Sequence, residues 1–450
     1  MRRHDVGAFV LALALAAPAS VQSQTSGGQS VAASDGPGRP AFWTTGNKLA
    51  VGASAGTDSR VWFTVAKGVT SEVFYPRLDI PNMEDMQYVV TDGSTFVDLK
   101  RDATSHQISM PVENALEYTV TNTDKRPTPK YRITNTYITD PNRDTLLIRT
   151  RFESLDGGGY HLYLLANPSI AGGGAVNSAW WDATHSALMA SGSLGSPVAI
   201  VSALVVASPN AFVASDNGFA TMGSDCYVEL QKNKTLVSRF DSASNGNVVQ
   251  CGEIGNLGAD TTFTVALGFG GDSASALAAA GGSLAAGFAD REAAYQNGWS
   301  DCVGGLRPAP VSVASDTLRR RVYTVAAMTL HAAEDKTFRG ASVAGFVTPW
   351  GDFVSGNQPG DGYHRPWGRD LYQQATGLIA AGDPAQALRM AEFLWSSQFI
   401  GVWTPGRGVT YPPGSLPRYS PVSGSGGGRR PISAAASSSI RRVLRSCSPG

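Results

Sequence analysis

The chain has 450 residues, more than one hydrophobic core usually organises, so two domains are expected. Its 36 basic and 36 acidic side chains balance, which argues against a global field drawing it to nucleic acid or to an anionic membrane and points to a neutral ligand. Glycine accounts for 51 residues, about 11% against a usual ~7%, a composition that suits many short strands joined by turns.

Taken in chain order, residues 1–23 read as a secretory signal: Arg2 and Arg3 precede an apolar run from Val6 to Ala17, and Ala17-Pro18-Ala19 is a small-x-small cleavage site. The run falls short of the roughly 20 residues that a bilayer span needs. Export to the periplasm or outside the cell is the expectation, with no membrane attachment after cleavage. Residues 24–40 are rich in Ser, Gly and Ala and read as a flexible leader. From 41 to 271 the signal is β. RVWFTV at 60–65, YRITNTY at 131–137, TLLIRTRF at 145–152 and HLYLL at 161–165 are β-branched and aromatic, and turn formers such as TDGS at 91–94 and LDGG at 155–158 stand between them. No amphipathic helix is predicted between these strands, so the expectation is a large antiparallel β-sandwich.

Four cysteines occur, Cys226, Cys251, Cys302 and Cys447, and an exported chain permits pairing. Cys226 with Cys251 is the favoured pair, both lying in the strand-rich region; free buried thiols are the other reading. Residues 272–308 are Ala-rich and read as a helical linker. Past Pro308 the period becomes helical: one helix is predicted over 316–333, a second from near Asp370 to Ala381, and a third over 384–398. Strands followed by helices make two domains, the second covering 309–423. Residues 424–450 break the pattern: Ser, Gly and Arg dominate and no acidic residue follows Glu392. A basic disordered tail and a shifted reading frame are the two readings.

The densest group of functional side chains is GYHRPWGRD at 362–370, preceded by TPWGD at 348–352. An aromatic face, a guanidinium and a carboxylate in one loop suit a sugar, whose C–H face stacks on an indole while its hydroxyls bridge donor and acceptor. Trp367, Arg369 and Asp370 form that set. Two structural alternatives stay open, Asp370 as a helix N-cap and Arg369 as the partner of a nearby carboxylate.

This loop resembles the one that builds the innermost glucose subsite in glycoside hydrolase family 15, the glucoamylases and glucodextranases, where a Tyr stands four residues before a Trp and an Arg-Asp pair closes the motif. Tyr363, Trp367, Arg369 and Asp370 fall on those positions. A second stretch, KGVTSEVFYPRLDIP at 67–81 with DMQYVVTDG at 85–93, is similar to early strands of the sandwich that precedes the barrel in bacterial and archaeal members. There Glu72, Tyr75 and Arg77 are expected to pack or pair at the domain interface.

The resemblance implies a multidomain chain, an antiparallel β-sandwich followed by the beginning of an (α/α)6 helical barrel. It implies an α-glucan or oligosaccharide substrate, cleaved from its non-reducing end with inversion. By carry-over, Arg369 and Asp370 bond the hydroxyls of the terminal glucose, Trp367 lines the subsite and Tyr363 faces the reacting carbon. Inversion needs two carboxyl groups about 6.5–9.5 Å apart. In the family both are glutamates on later barrel loops; the one glutamate after Asp370 is Glu392, which reads as a solvated helix charge, so no catalytic residue is assigned. A truncated, inactive chain is expected. Its three helices leave Leu371, Leu378, Leu388 and Phe393 exposed, and its C-terminal third is disordered or aggregation-prone. A non-catalytic carbohydrate-binding sandwich is the alternative. No cofactor is expected: the histidines lack ligand spacing for a transition metal, and the acidic loop 352–361 is equally an ordinary loop and a calcium candidate.

Overall fold

In the computed structural model the described residues are 31–424, apart from 41, 194–198, 349–350, 352–353, 356, 358–361, 403 and 405–409. The signal sequence, residues 24–30 of the leader, most of the acidic loop and the tail beyond 424 lie outside them. Two sheets face each other. The first runs β1 (Ala50–Ala53), β2 (Trp62–Ala66), β3 (Val69–Phe74), β4 (Met83–Thr91), β10 (His161–Pro168), β16 (Val248–Ile254), β14 (Phe212–Phe219), with β5 (Val97–Leu99) also on β4. The second runs β15 (Ser242–Gly246), β11 (Asn177–Asp182), β12 (Ala187–Gly192), β13 (Ile200–Val206), β17 (Asp260–Gly270), β9 (Thr145–Ser154), β8 (Tyr131–Thr139), β7 (Tyr118–Asp124), β6 (Thr104–Ser109). The ladders are antiparallel, for example β17 on β9 and on β13.

Alternation sets the faces. Along β7, Tyr118, Val120, Asn122 and Asp124 are buried while Thr119, Thr121 and Thr123 point outward. Aromatic pairs then close the space between the sheets: Phe63 on β2 stacks on Tyr137 of β8 at 5.8 Å, and Tyr88 on β4 meets the edge of Phe263 on β17 at 6.3 Å. Each such pair contributes about 0.5–1.5 kcal/mol beyond its buried area. One cation is sealed in this layer. Lys100, on the single-turn helix α1 (Lys100–Ala103), is buried, donates to the Asn135 side chain and lies 5.8 Å from the Tyr88 ring; loss of water pushes its ammonium down to about 7.

Two sequence expectations about the sandwich are corrected. A helix does interrupt the strands: α2 (Cys226–Asn233), capped by Asp225 accepting from the Tyr227 amide, lies between β14 and β15. Eight residues are too few for a helical period to stand out. Its Cys226 is bonded to Cys251 of β16, the favoured pair, and packs with Leu230, Val89 and Val249 on the outer side of the first sheet; Cys302 is a free thiol. Residues 31–40, expected as part of a flexible leader, are tied to the sandwich, because their backbone finds partners there: Ala33 donates to the Ser242 carbonyl at 2.8 Å and Arg39 to that of Ala220 at 3.1 Å.

The expected linker is two packed helices, α3 (Ser273–Ala285), started by an Asp272–Ser275 capping box, and α4 (Phe288–Gly304). Helix α3 lies directly on β17 where that strand carries Gly268: a Cβ there would sit 2.6 Å from the Ala276 carbonyl oxygen. After the short α5 (Val311–Ala314) come α6 (Thr317–Ala332), N-capped by Asp316, α7 (Gly368–Ala381) and α8 (Pro384–Ser396), N-capped by Asp383.

These helices use the sandwich as a wall. The Trp62 indole donates to the Ala332 carbonyl and the Trp299 indole to that of Ala53, both at 2.9 Å, while the Lys336 ammonium bonds the Ser59 carbonyl at 2.7 Å. The expected exposure of the last helices is therefore overturned: Leu371, Leu378 and Phe393 are buried in the core that includes Trp62 and Trp299, and Leu388 is half-buried. At the crossing with α8, Glu334 accepts from Arg389 at 2.7 Å, from Arg339 and from the Gly340 amide. On the outward side Leu318, Val322 and Tyr372 stay exposed.

Candidate functional site

Residues 362–366 form a bend and turn, held between two other segments, that leads into Trp367. On one side the Gly345 amide donates to the Tyr363 carbonyl at 2.8 Å and Ala344 to that of Arg365 at 3.1 Å; on the other, Ser420 donates to Pro366 at 2.9 Å and Trp367 bridges Tyr419. His364 is buried within the segment, 6.5 Å from the Phe74 ring. The turn into it requires Gly362, whose φ of +114° disfavours a side chain and whose carbonyl accepts from the Trp367 indole.

The four predicted residues come together at the start of α7. Trp367 is the N-cap residue, without a side-chain cap, so Asp370 is not the N-cap; it lies in the first turn, where its charge favours the helix N-terminus. Arg369 pairs with it, Nη2 to Oδ2 at 3.2 Å, and the guanidinium lies 5.4 Å from the Trp367 ring. The Tyr363 ring is 6.4 Å from the same indole. The nearby-carboxylate alternative for Arg369 thus holds, its partner being Asp370 itself.

Exposure divides the four. Trp367 is only 8% exposed, because Arg418 lies 4.9 Å from its ring and Tyr419 packs at 5.1 Å. Tyr363 is 39% exposed, and the side chains of Arg369 and Asp370 are 68% and 26% exposed. The surface offered to a ligand is thus a phenol ring, a guanidinium fork and a carboxylate around a buried indole. That set donates and accepts hydrogen bonds side by side, which suits neighbouring hydroxyls. Sequence reasoning missed Arg418 and Tyr419; they carry no local signal, and Arg418 reads there as one of a run of arginines.

In the upstream stretch all three residues pack or pair, but only Arg77 does so against the helical region, while Glu72 and Tyr75 find their partners inside the sandwich. Glu72 is buried and bonded to Lys48 and Thr64, Tyr75 stacks on Phe269 at 5.1 Å, and Arg77 pairs with Asp79 at 2.8 Å beneath Phe338. Asp79 also accepts from the Val422 amide at 3.1 Å, tying this part of the sandwich to the segment that covers Trp367. Glu392, on α8, is half-buried and not a fully solvated charge. Among the described residues no cluster of His, Cys, Asp and Glu is arranged to hold a metal ion, and no helix is long and apolar enough to cross a membrane.

Residues 33–303 match the family described as glucodextranase, domain N. The chain is similar to a glucoamylase of Clostridium sp. (strain G0005), 31% identical over 374 residues, which cover 81% of this chain and 50% of the relative. It is also similar to the crystal structure of a bacterial glucoamylase complexed with acarbose, with a TM-score of 0.78 and 28% identity over 92% of this chain and 58% of that one. The chain thus spans about half the length of the proteins it matches.

Proposed function

We propose a function for a chain that belongs to glycoside hydrolase family 15, as a glucoamylase-type protein with a glucodextranase-type N domain: it holds the non-reducing end of an α-glucan for exo-acting hydrolysis with inversion. The observation that carries this reading is the gathering of Tyr363, Arg369 and Asp370 around the buried Trp367 at the start of α7. In the glucose subsite Arg369 donates to, and Asp370 accepts from, hydroxyls of the terminal glucose, Trp367 lines the floor and Tyr363 faces the reacting carbon. Arg418 and Tyr419 hold the indole in place.

These are binding roles. Inversion requires a general acid and a general base about 6.5–9.5 Å apart, one protonating the leaving oxygen and the other activating water. The reading assigns neither to Asp370, which pairs with Arg369, nor to Glu392. It includes export, which the Cys226–Cys251 disulfide supports, and no cofactor.

The test is calorimetric titration of the chain with acarbose, followed by incubation with maltotetraose and isomaltotetraose and detection of the released anomer by NMR. Asp370→Asn is expected to weaken acarbose binding about tenfold to a hundredfold, the loss of a charge-assisted hydrogen bond. Equal affinity for the variant overturns the subsite assignment. Release of β-glucose establishes inversion, whereas binding without turnover favours the non-catalytic carbohydrate-binding reading.

A further inference from the structure

The outer face of the nine-stranded sheet is divided. Helix α3 lies on β17, and α4 reaches β9 through Arg149 and Glu292 at 2.8 Å. The corner built by β6, β7, β8 and β9 is uncovered and hollowed into an open trough of about 400 Å³, within the roughly 300–1,000 Å³ of small-ligand sites. None of its lining residues belongs to the Trp367 motif.

The lining is a regular array. Gln107, Thr121, Thr134 and Arg151 are successive cross-strand partners in one row, and Thr123 and Arg132 stand in the next. Strand spacing places such groups about 4.8 Å apart. Charge is cancelled locally: Arg151 is held by Asp260 at 2.7 Å and Glu153 at 3.3 Å, and Arg132 stands 3.8 Å from Glu153. An anion there meets a carboxylate, and a cation meets two guanidiniums. Among the described residues neither the Gln107 amide nor the Thr123 hydroxyl has a side-chain hydrogen bond, so donors and acceptors remain for a ligand that offers both.

We propose that this trough is a second carbohydrate site, binding a neutral stretch of glucan chain away from the Trp367 cluster. The ligand class rests on the α-glucan reading above. The chain lies across the hydroxyl and amide rows and is held by hydrogen bonds, with no aromatic platform.

Affinity electrophoresis of the full chain in gels containing soluble starch or dextran tests it. The unaltered chain is expected to be retarded by one of the polymers. Gln107→Ala with Arg132→Ala should weaken retardation at least about tenfold, and Thr121→Ala with Thr123→Ala should weaken it too, while Asp370→Asn stays retarded. No retardation of the unaltered chain, or retardation of both trough variants equal to it, overturns the proposal. Acarbose titration separates the two readings. Trough variants that lose retardation in a chain that never binds acarbose uphold the trough and sink the glucose subsite; loss of acarbose binding in Asp370→Asn with the trough variants still retarded does the reverse.

Discussion

In the sandwich two sheets shield each other, with Phe63 against Tyr137 and Tyr88 against Phe263. Helix α6 instead packs on that sandwich, α7 packs on α6 and α8 on α7, and Leu318, Val322 and Tyr372 stay exposed. The difference teaches where each region's stability comes from. Sheet faces are completed within the sandwich, whereas the helices depend on a wall they do not supply.

The sharpest way to break that comparison is at the wall. Trp62→Ala removes a buried indole and the donor to the Ala332 carbonyl, and a loss of about 3–5 kcal/mol is expected. In urea the helical signal should fall with the sandwich; a helical transition at an unchanged midpoint contradicts the dependence. Next comes the sealed cation of the sandwich. Lys100 titrates near 7 when folded and near 10.4 when unfolded, so between those values the unfolded chain binds a proton that the folded chain lacks, and stability rises with pH by on the order of 3 kcal/mol. Below pH 7 the whole penalty is present. Burial pushes Lys336 down to about 7 as well, so Lys100→Met should remove about half of the slope in melts from pH 7 to 10, and an unchanged slope would assign it to other groups.

Glu334 carries the opposite kind of charge in the helical region. Burial alone would raise its carboxyl, but the bonds from Arg389 and Arg339 outweigh that and hold it below its ordinary value. Its contribution is present above the unfolded value and is lost as pH falls through the lowered one. Both arginines reach solvent, so Glu334→Gln should cost about 2 kcal/mol, less than breaking a fully buried pair. Melts at pH 7 and below pH 4 check this, since the cost should shrink at the acid end. The smallest effect belongs to the outward face: Leu318→Ser with Val322→Ser should change stability by no more than about 0.5 kcal/mol, and a larger loss in a thermal melt would mean that face is covered in solution.

Much of this was legible locally. The 316–333 helix is found at Thr317–Ala332 because its Asp316 cap and apolar period are neighbours in sequence. Strands such as β7 announce themselves through alternation. Helix α2 did not, being two turns inside a β region, and neither did the attachment of residues 31–40, whose partners lie about 200 positions away. At the candidate site, the spacing of Tyr363, Trp367, Arg369 and Asp370 marked the cluster. The contacts of Arg418 and Tyr419 with Trp367 came from some fifty residues further on, where a helical or strand period offers no guide. Burial of Leu371 and Phe393 was misread for the same reason, since the core they join draws on other parts of the chain.

The order of the second sheet has one more consequence. Its last strand in sequence, β17, is its middle strand, joining β13 on one side to β9 on the other. During synthesis at about 5–20 residues per second, β9 therefore waits on the order of ten seconds for its partner. Until then the sheet exists as two ribbons with bare edges, a window in which a nascent chain is open to pairing with the wrong neighbour.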